Sequence, residues 1–296
     1  MTMPSQLQRV GGAFRHTLAN LVTGLRVLAR PPRFGSLRET IYRRPGPWIV
    51  TALGLLALGL LLVPTADVAA IVGARKLSRF WIVEPFDFYT DFGRSNWFLW
   101  PTAAVVVVCA ALASERLGRV ASATLAALMV RFGFLFIAIG LPGLFVTIAK
   151  RIIGRARPFV GGAPDPYLFS PMAFHVHYAS LPSGHTTTAF AAAFAIAALW
   201  PRTRYVMAAY AILIAVSRVV VGAHHPSDAV AGALVGILGA MLARQWFAVR
   251  GLGFVVMPDG EVRPKPGPNR GRLLRLLETL AARARAVVRG RARSTT

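Results

Sequence analysis

Residues 47–66 read PWIVTALGLLALGLLLVPTA, a stretch without a single charge. At about 1.5 Å per residue, a helix of this length crosses the ~30 Å hydrocarbon layer of a bilayer. Residues 1–46 before it are too long and too polar for a signal-peptide n-region. No small-residue cleavage pattern follows, so the run reads as a retained anchor. Five more apolar runs lie downstream, at about 97–113, 121–149, 183–200, 205–221 and 227–247. Together they predict an all-α, polytopic membrane protein, a bundle of six transmembrane helices over residues 47–248. A basic N-terminal segment, 1–46, precedes it and a basic tail, 249–296, follows.

Composition agrees. The chain has 296 residues, of which 55% are hydrophobic and 15% charged, against ~25% charged in average soluble proteins. A soluble enzyme, a disordered chain and a fibrous repeat are disfavoured. The one cysteine, Cys109, lies in an apolar run, which excludes an intrachain disulfide framework and a cysteine-based zinc site. A formal charge of +23 would suit nucleic acid if the charges were clustered for it, but they flank the apolar runs. With the N-terminus inside, the inside segments carry 24 of the 34 Lys and Arg, and the outside segments 67–96 and 149–182 carry four each. This bias puts both termini in the cytosol of a multi-pass inner-membrane protein. Inside positive charge is thereby explained without a nucleic-acid partner.

Runs four and six are rich in Ala and Gly, as suits helices packed on protein rather than lipid, and Gly232 and Gly236 offer a close-approach face. The tail 271–293, GRLLRLLETLAARARAVVRGRAR, has leucines 273, 276, 277 and 280 on one side and arginines around them. It predicts an amphipathic helix able to lie on an anionic leaflet or to stay solvated.

Ionisable residues beside membrane spans are costly and ask for a reason. Three groups stand out, and the predicted topology puts all three on the outer face. The first is KRIIGRARP, 150–158, where Lys150 and Arg157 are two helical turns apart and Pro158 would end the helix. The second is LPSGH, 181–185. Pro182 and Ser183 suit a helix start, Gly184 permits close backbone approach, and the first-turn amides can bind phosphate. The third is SRVVVGAHHPSD, 217–228, in which His224 and Asp228 are spaced to meet across one helical turn. A carboxylate on one imidazole nitrogen fixes the tautomer and leaves the other nitrogen the better base or nucleophile. Taken singly, each group reads as well as a basic flank, an ordinary cap or a surface ion pair. Taken together they supply cations, helix-start amides and two histidines: the parts of a phosphate cradle.

In this order, K-x6-RP, PSGH and SR-x5-H-x3-D resemble the signature of the type 2 phosphatidic acid phosphatase family of membrane lipid phosphatases. The motifs cover 150–228, and the six-span layout extends the likeness to 47–248. The resemblance implies that His224 attacks phosphorus to form a phosphohistidine, that Asp228 holds its tautomer, and that His185 protonates the leaving group and then activates water. It further implies that Lys150, Arg157, Ser183, Gly184 and Arg218 hold the phosphoryl oxygens, with no metal or other cofactor. The substrate it implies is a lipid mono- or diphosphate, drawn from the surrounding membrane lipids and cleaved on the periplasmic side. Undecaprenyl diphosphate leads, with phosphatidylglycerophosphate, phosphatidic acid and lipid A open. A lipid phosphotransferase would use the same residues. A vanadate haloperoxidase is disfavoured by the spans, a serine protease built on Ser183 and a histidine leaves Lys150, Arg157 and Arg218 unexplained, and a non-catalytic lipid-binding or transport protein would not need His224.

Other polar residues read more plainly. His225 is expected to face away from His224. His175 and His177 have no third ligand at convincing spacing. Asp87, Asp91 and Arg94 either cover the site or simply solvate a loop. Arg131 falls inside a span with no partner that spacing can name.

Overall fold

The computed structural model describes residues 6–77, 81, 83–114 and 117–293. Residues 1–5 of the N-terminal segment and 294–296 of the tail lie outside the described residues. The helices are α1 Gln6–Ala29, α2 Leu37–Arg43, α3 Gly46–Thr65, α4 Asp67–Leu77, α5 Val83–Thr90, α6 Asn96–Leu112, α7 Arg119–Ile153, α8 Gly184–Leu199, α9 Arg204–Val220, α10 Pro226–Val249 and α11 Arg270–Arg293. A short antiparallel ribbon, β1 Phe254–Val256 with β2 Val262–Pro264, is the one sheet among the described residues.

Each of the six expected spans is a helix. Among the described residues, five helical segments are long and apolar enough to cross a membrane: α3, the stretch Val83–Leu112 that ends in α6, α7, the stretch Pro201–Val220 that contains α9, and α10. The sixth helix, α8, is apolar but only 16 residues long. The chain is a multi-pass, nearly all-α membrane protein.

Two compact units emerge from the chain's contacts. One comprises residues through Pro31, Thr102–Gly133 and those from Lys265 onward; the other comprises Pro32–Pro101 and Phe134–Pro264. In the first, Cys109, Leu117, Ala121, Leu125 and Leu276 form a buried cluster, with Met129 and Leu280 packed against it. The tail helix therefore turns part of its leucine stripe, Leu276 and Leu280, onto protein, while Leu274 and Leu277 stay exposed. Arg131 finds partners no spacing could name: its guanidinium donates to the Lys265 carbonyl at 2.8 Å and to the Ala127 carbonyl at 3.2 Å.

The second unit holds the motifs. Helix α8 is its centre, packed on α9 and α10, and α10 packs in turn on α3. The α8–α10 contact is close because α10 presents glycines there. A Cβ on Gly232 would meet the Ser183 carbonyl oxygen at 2.6 Å, and one on Gly236 the Thr187 carbonyl oxygen at 2.5 Å. By contrast α3 buries none of its residues and exposes leucines 53, 56, 58, 60 and 61, as a helix facing hydrocarbon must. Small residues inside and leucines outside follow the expected division.

The expected end of the third span fails. Helix α7 does not run to Arg157 but stops at Ile153. Gly154 takes φ +67°, its N–H donates to the Lys150 carbonyl, and a Cβ there would collide with the Ser170 carbonyl. A left-handed glycine ends the helix in its own right, four residues before the proline. Residues 155–157 then run extended: Ala156 N–H donates to the Leu168 carbonyl, and Arg157 N–H to the His177 carbonyl.

Candidate active site

Three segments converge at one end of the second unit: the extended stretch after α7, the start of α8, and the turn from α9 into α10. Ser183 caps α8, is fully buried, and donates its own N–H to the Asp228 carbonyl at 3.0 Å. That bond ties the PSGH turn directly to the third motif. No side chain caps the α8 amides, because the Ser183 hydroxyl accepts from Thr186 instead. Beside them a Cβ on Gly184 would meet nothing within 4 Å. Free amides, a helix N-terminus and open space are what an oxyanion needs.

The expected site residues come together. His185 lies within charge–charge range of Arg218, His224 and Lys150. Arg157 stands in that range of Lys150, Asp228 and His224. Arg218 is buried at 8% exposure; its Nη1 donates to the Thr90 hydroxyl at 2.7 Å, and its Nε has no partner. Arg157 donates through Nε to the Val176 carbonyl at 3.2 Å. Its burial depresses the guanidinium pKa, against the pull of Asp228. Three cations and an uncapped helix start thus lie in the neighbourhood of two imidazoles, an arrangement that can hold a phosphoryl group and neutralise its oxygens.

His224 and Asp228 do meet, but not across a turn of helix. His224 precedes α10, and His225 is the N-cap. His224 Nδ1 is 3.8 Å from Asp228 Oδ2, beyond hydrogen-bonding distance. Burial holds the His224 pKa below the ordinary imidazole range, and Asp228 opposes that shift. His225 does not face away from this centre. It is fully buried, its N–H donates to Asp228 Oδ2 at 2.9 Å, and its Nδ1 lies 3.4 Å from the same oxygen.

Sequence reasoning missed what holds Asp228. Arg155 is buried at 2% exposure and donates to Asp228 Oδ1 at 2.6 Å, to Asp67 Oδ2 at 2.8 Å, to the Ser227 hydroxyl at 2.7 Å and to the Pro166 carbonyl at 2.9 Å. Asp67, from the start of α4, also accepts from the Ser227 N–H and hydroxyl. Ser180 donates to Asp228 Oδ2 at 2.6 Å. The available signal was Arg155 itself, a fourth cation in a cluster where Lys150 and Arg157 drew the reading. Asp67 and Ser180 carry no pattern.

The remaining polar residues sort simply. The turn Asp91–Gly93 packs on His185: a Cβ on Gly93 would lie 3.1 Å from the His185 Cβ. Arg94 pairs with Asp91 at 2.8 Å. His175 and His177 are exposed, with ring centroids 4.8 Å apart.

The family model of the PAP2 superfamily matches residues 131–252. Two proteins named lipid A 1-phosphatase, from Rhizobium johnstonii and Rhizobium etli, are each 38% identical over 175 residues, covering 58% of this chain and 70% and 74% of theirs. The chain belongs to the PAP2 superfamily. A crystal structure described as the first transmembrane PAP2-type phosphatidylglycerolphosphate phosphatase, from Bacillus subtilis, aligns at TM-score 0.41 and 20% identity over 66% of this chain and 92% of that one. As a member of the superfamily the protein is a hydrolase, a membrane lipid phosphatase, and the matched stretch contains all three motifs.

Proposed function

We propose that the protein removes phosphate from a lipid at the periplasmic face of the inner membrane, through a phosphohistidine on His224. The observation that carries this is the meeting of a buried, neutral-leaning imidazole with Arg157, Arg218, Lys150 and the uncapped start of α8. Phosphoryl transfer leaves the protein little covalent chemistry beyond positioning and charge stabilisation. Lys150, Arg157 and Arg218, with the Ser183 hydroxyl and the Gly184 amide, hold the three phosphoryl oxygens. The His224 Nε2 lone pair forms the N–P bond as the P–O bond to the lipid breaks, and His185 gives that oxygen its proton. His185 then takes a proton from water as the water oxygen displaces His224. Fixed cations occupy the role that magnesium has in other phosphoryl transfers, so no metal enters the scheme.

Within this reading the substrate is a lipid A-type sugar 1-phosphate. The identity to the two lipid A 1-phosphatases favours it over undecaprenyl diphosphate, which led among the lipids the resemblance implies, since the motifs read phosphate and not the tail. The test is phosphate release by detergent-purified protein in excess EDTA, on lipid A 1-phosphate, undecaprenyl diphosphate, phosphatidylglycerophosphate and phosphatidic acid, with His224→Ala alongside. The expected outcome is EDTA-resistant release, fastest from lipid A 1-phosphate, and loss in the variant by at least about 1,000-fold. Release from a folded His224→Ala protein would end the phosphohistidine reading, and transfer of label to a second lipid in place of free phosphate would make the protein a phosphotransferase.

A further inference from the structure

We propose that Ser180 is a positioning residue that couples His224 to Asp228 and sets the tautomer of the attacking imidazole. The proposal rests on His224 being the nucleophile. Its basis is a gap and what fills it. The direct distance from His224 Nδ1 to Asp228 Oδ2 is 3.8 Å, whereas the Ser180 hydroxyl oxygen lies 2.6 Å from that carboxylate oxygen and 3.3 Å from Nδ1.

The protons can be assigned from one constraint. Asp228 is in contact with the Arg155 guanidinium through its other oxygen and accepts the His225 N–H. A carboxylate so paired is ionised and can only accept. The single hydroxyl proton of Ser180 therefore goes to Oδ2. What Ser180 can offer His224 is a lone pair, so Nδ1 must carry the hydrogen. The free lone pair then sits on Nε2, the nitrogen that attacks. An aspartate too far to select the tautomer itself selects it through a serine.

Ser180 is built in for this. It is fully buried, and its own N–H donates to the carbonyl of Arg155 at 3.1 Å. The residue that grips Asp228 also fixes the backbone of the residue that bridges to it. During attack the Nε2 pair forms the N–P bond, the P–O bond breaks, and its electrons and the His185 proton go to the leaving oxygen. The positive charge left on the ring is shared with Nδ1–H, so its bond to Ser180, and that of Ser180 to Asp228, strengthen in the transition state. On hydrolysis the N–P pair returns to Nε2 and Nδ1 keeps its hydrogen throughout.

The test compares Ser180→Ala, Ser180→Thr and Ser180→Cys in the full-length protein, with His224→Ala in parallel, on whichever lipid phosphate the wild type cleaves. Steady-state kinetics, melting temperature and the rate of phosphoenzyme formation from labelled substrate are measured. Ser180→Ala is expected to lower kcat and the rate of phosphoenzyme formation roughly 10- to 100-fold, the effect of one hydrogen bond to a charged group, with KM within about twofold. Ser180→Thr keeps the hydroxyl and is expected to recover most of that loss. The Cys variant keeps size but donates weakly, and is expected to behave like Ala, which also serves where Ala does not fold. Unchanged kcat in Ala or Cys, a loss confined to KM, or equal losses in Ala and Thr at wild-type melting temperature would overturn the coupling. Activity surviving in His224→Ala would instead overturn the nucleophile on which it stands.

Discussion

Histidine 224 is where charge and burial decide most. Its imidazole is depressed below the ordinary value of 6.5 by burial, against the pull of Asp228. The neutral, nucleophilic form therefore persists to lower pH than for a free histidine. The acid limb of the activity profile, where His224 takes up a proton, should therefore lie below pH 6.5, which a pH profile of kcat/KM on the wild type would read directly. The same sign applies to stability. The unfolded chain takes up the proton first, so the contribution of neutral His224 is complete above pH 6.5 and is lost as pH falls towards the folded value. Arg155 makes the second residue-scale prediction. Its guanidinium spans Asp67 and Asp228. Arg155→Met would leave two buried carboxylates without their guanidinium, at a cost of ~3–5 kcal/mol. Thermal unfolding in detergent should show a clear fall in melting temperature, and a variant melting like wild type would deny Arg155 this role.

At the scale of elements, α8 and α10 act as one piece. The glycines of α10 admit the α8 backbone, and the Ser183 N–H to Asp228 carbonyl bond closes the contact at its functional end. Gly236→Val would put a branched side chain where even a Cβ meets the Thr187 carbonyl oxygen at 2.5 Å. Overpacking of this kind costs ~1–3 kcal/mol. Because the two helices carry the cradle between them, phosphate release should fall further than the loss of folded protein explains. Circular dichroism melts and kinetics on the same sample separate the two effects. A Cβ on Gly59 of α3 would meet the tip of Val230 on α10 at 3.6 Å, an ordinary van der Waals distance, and Gly59→Ala should leave both readouts near wild type.

For the whole molecule, the distribution of Lys and Arg makes the topology testable. Reporters fused at residue 296 and inserted in the loop between α7 and α8 should report opposite sides of the membrane, the tail cytosolic and the loop periplasmic. A reporter pair on one side would reverse the proposed placement of the site. The tail helix enters here too. With Leu276 and Leu280 packed on protein, only its remaining leucines and arginines are left for a leaflet, so its stripe is narrower than the helical wheel of the tail implies.

Much of this was legible before any coordinates. Long uncharged runs can only be satisfied in hydrocarbon as helices, so the six helices and the lipid-facing α3 follow from composition along the chain. The motif residues Lys150, Arg157, Ser183, Gly184, His185, Arg218, His224 and Asp228 are local patterns, and their order and sidedness are what led the sequence to predict a shared site. The stop of α7 at Gly154 was not anticipated: a lone glycine is common inside membrane helices, and only its left-handed conformation makes it an end. What only the folded chain decided is how the centre is held. Asp67, Arg155, Ser180 and Asp228 are brought together from far apart in sequence, and Arg131 finds the Lys265 carbonyl across 134 positions. Buried polar groups must be paired, but the partner is whichever group the packing of helices delivers. That choice is made by three-dimensional closure and leaves no spacing in the sequence to read.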